Sequence, residues 1–101
     1  MSTDVPEYEI EFPPFFHEHA AEVESKGFFG GLPVACGAVR YELTLYDPTR
    51  LTQDIDEDFR LGSHCFSAKN IVVVPRVVEA DIRAAVAELA KEGFSTLRHG
   101  D

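Results

Sequence analysis

The chain has 101 residues, with 18 Asp and Glu against 9 Lys and Arg, a net charge of −9 and 45% hydrophobic residues. At this length folding buries roughly 60–65% of the unfolded surface, enough for one modest core and too little for two. The apolar run Ile71–Val74 is far short of the roughly 20 residues a membrane span needs, and the acidity argues against unaided binding to nucleic acid or an anionic membrane, both of which are gripped through Lys and Arg.

From Glu7 to Phe12 the side chains alternate, with Tyr8, Ile10 and Phe12 on one side and Glu7, Glu9 and Glu11 on the other. That is the period of a strand with one buried face and one face of carboxylates. Pro13 and Pro14 end it and open a first helix, since proline lacks an amide that the first turn leaves unpaired anyway. The helix is expected from Pro14 to Lys26, with Phe16, Ala20 and Val23 as its inward stripe and Gly27 as a left-handed cap. Gly30, Gly31, Pro33 and Gly37 make the next stretch read as a turn-rich connection, with at most a short strand around Val34–Cys36.

Val39, Tyr41, Leu43 and Leu45 alternate with Arg40, Glu42, Thr44 and Tyr46, the clearest strand pattern in the chain. Asp47 and Pro48 supply an N-cap and a first-turn proline, and Leu51, Ile55 and Phe59 form the inward stripe of a second helix that closes at Leu61 and Gly62. A polar loop, Ser63–Asn70, leads into Ile71–Val74, whose continuous β-branched run predicts a central strand covered on both faces. The third helix is expected over Glu79–Glu92, with Ile82, Ala85, Val86 and Leu89 inward and Gly93 as cap.

The predicted order is therefore β-α-β-α-β-α, with a fourth strand if the glycine segment supplies one. It describes a small single domain of α+β or α/β class, a three- or four-stranded sheet packed by helices. Residues 1–6 and 98–101 are expected to be mobile ends.

The acidity is uneven: residues 1–58 hold 13 acidic and three basic side chains, whereas 59–101 hold five and six. Asp54, Asp56, Glu57 and Asp58 crowd the negative end of the second helix, where helix stability favours cations. Asp54 and Glu57 share its solvent side with Arg50 and Gln53, while Asp58 borders the apolar stripe.

Several constellations fail on geometry. Asp54, Asp56 and Asp58 imitate the first ligands of a calcium loop, but Phe59 stands where Gly is needed and Cys65 where Glu is needed. His17 and His19 point about 200° apart on a helix, so with His64 and Cys65 they do not make a zinc site by spacing; His19 and Glu22 are the pair that share a face. Neighbours in an extended segment face opposite ways, so His64 does not activate Cys65, and Cys36 beside Ala35 and Gly37 reads as a small packed residue. No phosphate-binding glycine pattern is present. The sequence assigns no catalytic residue, metal or cofactor.

With no basic segment preceding an apolar one at the N-terminus, a cytoplasmic location with reduced thiols is expected. The expectation that follows is a small acidic module of inhibitor or immunity type in a bacterial setting that meets a basic protein partner such as a nuclease toxin. Its contact residues are Glu7, Glu9, Glu11, Asp54, Asp56, Glu57 and Asp58. Its alternatives are a ligand pocket or thiol enzyme using Phe28, Tyr41, Tyr46, His64 and Cys65, and a homodimer paired through an exposed strand edge.

Overall fold

The computed structural model describes residues 5–99. The strands are β1 (Glu9–Ile10), β2 (Phe28–Cys36), β3 (Val39–Tyr46) and β4 (Ile71–Val73). The helices are α1 (Pro14–Glu18), α2 (Ala20–Lys26), α3 (Pro48–Arg60) and α4 (Glu79–Lys91). The strands lie in one sheet in the order β1-β2-β3-β4. β2 is antiparallel to β1 and β3, and β3 is parallel to β4 through the α3 crossover. This is a small compact single domain of α+β class with a mixed four-stranded sheet.

Residues Gly27–Gly37 are the first correction, because the expected connection is the nine-residue strand β2. Its register with β3 shifts between Gly30 and Leu32, and Gly31 takes a left-handed φ of 74°. Inserting one residue in that conformation moves the inward position from Phe29 to Leu32 and Val34, so the alternation breaks halfway along a continuous strand.

Strand β1 is correspondingly shorter than Glu7–Phe12. The Glu11 amide donates to the Pro33 carbonyl at 2.9 Å, but proline has no N–H to return the bond, so the ladder ends after Ile10. The first helix divides at His19, where φ is −123° and ψ is 34°. Phe16 and Val23 stay buried, whereas Ala20 is exposed and leaves the predicted stripe.

One face of the sheet is closed. Leu32, Val34, Tyr41, Leu43 and Leu45 meet Phe16 of α1, Val23 of α2, Ile82, Val86 and Ala90 of α4, and Phe94 in a continuous core. Tyr8, Ile10 and Phe12 pack against its margin as their alternation predicts. Phe94 packs edge-on to Tyr8, with ring centres 5.6 Å apart, and lies 5.2 Å from the ring of Tyr41, which anchors the chain after α4.

The opposite face carries only α3. No α3 side chain is buried, and Phe59, expected inward, is 52% exposed. The side chains that tie α3 to the sheet, Arg50 and Asp54, lie in its first seven residues, and its last turn, which carries Phe59, reaches beyond them. Strand β4 is also an edge strand rather than the predicted central one, with Val73 47% exposed.

The C-terminal segment extends the β4 edge. Asn70, at a left-handed φ of 51°, donates through Nδ2 to the Glu42 carbonyl at 3.1 Å and the Arg98 carbonyl at 2.6 Å. Its Oδ1 accepts from the Arg98 amide at 2.7 Å, and His99 bridges to Tyr41. Of the ends expected to be mobile, residues 1–4 and 100–101 lie outside the described residues, while Arg98 and His99 are fastened in this way.

Candidate interaction surface

Alternation along the strands sorts the acidic side chains. Glu9 stands opposite Ala35, and Ala35 opposite Arg40, so Glu7, Glu9 and Glu11 share the open face with Arg40, Glu42, Thr44 and Tyr46. Helix α3 lies on that side as well, as the Tyr46 hydroxyl donates to its Asp54. The strand row and the helix thus flank one face of the sheet, separated along β3 by the six residue steps from Arg40 to Tyr46, roughly 20 Å.

Not all of these carboxylates are available. Glu11 is half-buried and accepts from Arg40 at 2.6 Å. Glu57 is paired with Arg60 one turn on. Asp54 is tied most tightly: one oxygen accepts from Tyr46 at 2.7 Å and the other from Arg50 Nε at 2.8 Å. Glu7, Glu9 and Asp56 are exposed and Asp58 half-buried, and none of the four has an ion-pair partner among the described residues. Exposed Glu42 joins them on this face, a residue that sequence reasoning passed over because it looked only for clusters.

The Asp54 group fastens α3 to the sheet. Arg50 also donates from Nη1 to the Lys26 carbonyl at 3.1 Å and sits over the Phe28 ring, 5.7 Å from its centre. Tyr46 is 4% exposed, with the rings of Phe28 and Phe66 at 5.1 and 6.2 Å. Burial, then the hydrogen bond to Asp54 and that residue's charge, push the Tyr46 hydroxyl up to about 12. Burial would raise the Asp54 carboxyl, but hydrogen bonds from Arg50 and Tyr46 and the Arg50 charge together outweigh it and hold the group below its ordinary value. Asp47 caps the helix, its Oδ1 accepting from the Arg50 amide at 2.7 Å.

Beside the acidic side chains, α3 ends in exposed apolar ones: Phe59 at 52% and Leu61 at 74%. Two apart in sequence, they project about 200° from one another, Phe59 one turn on from Asp56 and Leu61 one turn on from Glu57, so each apolar group stands beside a carboxylate on its own flank of the helix end.

The residues of the alternative pocket do not assemble. Tyr41 lies in the closed core, whereas Phe28 and Tyr46 meet on the other face. His64 and Cys65 are exposed on the Ser63–Asn70 loop, and Cys36 is half-buried at the end of β2, both thiols being free. His19 lies 3.4 Å from Glu22, as their shared face predicts, and His17 lies 3.6 Å from Glu79. Among the described residues no three His, Cys, Asp or Glu side chains converge on a point that could hold a metal, and no helix is long and apolar enough to cross a membrane.

Comparison with protein-family models, with curated proteins and with solved structures found no match to this chain.

Proposed function

We propose that the protein is a small acidic binding module whose open sheet face engages a basic protein partner. The observation that carries this reading is the asymmetry of the sheet: one face is sealed by three helices, and the other is left partly bare. The bare side bears the unpaired carboxylates of Glu7, Glu9, Glu42, Asp56 and Asp58 and the exposed Phe59 and Leu61. The carboxylates attract a cationic surface and speed encounter, while the apolar pair supplies contact area once docked. A basic protein that grips phosphate, such as a nuclease toxin, has the complementary surface, and occupying it would neutralise that protein in the manner of an immunity protein.

Glu11, Asp54 and Glu57 take a different part in this reading. Each is engaged within the fold, so they shape the surface rather than meet the partner directly. A tagged pull-down from native lysate, washed at low and then high salt, is the test. A basic protein held at low salt and released at high salt is the expected result, and an empty eluate at both salts would remove the reading.

A further inference from the structure

A second feature, independent of the acidic face, lies at the β4 edge. The loop before β4, the end of α4 and the C-terminal segment enclose an open groove of about 1110 Å³. Its floor includes Val72, Leu89 and Leu97, which rest on the core, and its rim carries Lys69, Arg98 and His99. Among the described residues, no acidic side chain lines this groove.

The arginine there differs from the other five. Arg40, Arg50, Arg60, Arg76 and Arg83 each face a carboxylate. Arg98 is the one arginine with no ion-pair partner among the described residues, and Lys69 beside it has none either. Their backbone is fixed before any ligand arrives. Asn70 holds both the amide and the carbonyl of Arg98, and the Thr44 hydroxyl donates to the Lys69 carbonyl at 2.8 Å. Ordering this segment is therefore a cost already met in folding, which favours binding.

We propose that the groove binds a small amphiphilic organic anion, its oxyanion head held by Lys69, Arg98 and His99 and its apolar body laid over Val72, Leu89 and Leu97. The size is that of a small-molecule site rather than an inorganic-ion site. A guanidinium next to an ammonium suits an oxyanion, since the planar fork donates to two oxygens while the lysine supplies a mobile charge.

The test is an amide NMR titration of the full chain with n-octyl phosphate below its micelle concentration, alongside inorganic phosphate and neutral octyl glucoside. Expected are saturable shifts at Lys69–Val72 and Thr96–His99, with each control ligand at least about tenfold weaker. The double variant Lys69→Gln/Arg98→Gln changes only exposed side chains and should weaken octyl phosphate about tenfold or more, with the rest of the spectrum unmoved. The proposal is overturned if octyl phosphate gives no saturable shift or if the double variant binds it equally well. It is also overturned if either control binds as tightly, or if the shifts gather instead at the smaller cleft of about 190 Å³ lined by Phe15, Lys26 and Phe28.

Discussion

The two faces of the sheet are covered differently although the same strands build both. On the closed face, Leu32, Val34, Leu43 and Leu45 are fully buried under α4 and the α1–α2 pair. On the open face only Tyr46 is buried, and α3, whose Leu51 and Ile55 are only half-buried, is tied down by a polar cluster of Tyr46, Arg50 and Asp54. Stability should therefore reside on the first face and recognition on the second, and substitutions should separate the two properties.

The largest effects are expected in the closed core. Leu43→Ala or Val86→Ala leaves a void in a region with no solvent access and should cost about 2–4 kcal/mol in chemical denaturation, whereas Phe59→Ala should stay within about 0.5 kcal/mol while weakening partner capture. A Phe59→Ala protein as destabilised as the core variants would erase the contrast.

Next in size is the joint where α2, β2 and α3 meet. Gly27 has a left-handed φ of 67°, its carbonyl accepts from the Asp47 amide at 2.9 Å, and a Cβ there would land on the Asp47 carboxylate. Gly27→Ala therefore strains the backbone and displaces the α3 cap together. We expect a loss of about 2 kcal/mol, read as a lower denaturation midpoint; a neutral result would show that Asp47 can move aside without loss.

The polar cluster gives a pH signature of smaller size. Tyr46 ionises higher in the folded state than its ordinary value of 10.0, so its stabilisation is complete below pH 10 and is lost as the pH rises through about 12. The loss should be on the order of 2 kcal/mol. Tyr46→Phe should cost about 1 kcal/mol at neutral pH and show a shallower decline between pH 10 and 12. Asp54 works in the other direction: its value is lowered, so its contribution is present above the ordinary 3.8 and disappears as the pH falls through the folded value. Asp54→Asn should flatten the stability profile in that acid range, and an unchanged profile would mean that the cluster does not hold α3.

Least expected to alter stability is Glu7→Lys/Glu9→Lys on the exposed row, within about 0.5 kcal/mol.

Much of the fold was legible in the sequence because its signals are local. The alternation of Val39–Tyr46, the Asp47–Pro48 start of α3, the Gly27 cap and the inward stripe of α4 each depend on neighbours a few residues away, and each is where the pattern placed it. What escaped depends on the third dimension. Strand β2 was hidden because the bulge at Gly31 reverses its alternation, so no single period runs its length. Phe59 keeps perfect helical spacing with Leu51 and Ile55, yet periodicity says nothing about how far along the helix its ties to the sheet extend. Asp54 belonged to an acidic run by sequence, and only the fold puts Tyr46 against it. The rim of the groove joins Lys69 to Arg98 and His99 through the side chain of Asn70, a link that no spacing rule records.

The central claim is that recognition belongs to one face and not to acidity in general, and two variants of equal charge can decide it. Glu9→Lys/Glu42→Lys/Asp56→Lys reverses three unpaired acids on the open side, while Glu18→Lys/Glu88→Lys/Glu92→Lys reverses three exposed acids on α1, on α4 and at the α4 C-cap, all on the closed side. Capture of the basic partner at low salt should be lost with the first protein and retained with the second. Equal loss in both would mean that net charge alone attracts the partner, and equal retention would mean that the open face is not where it binds.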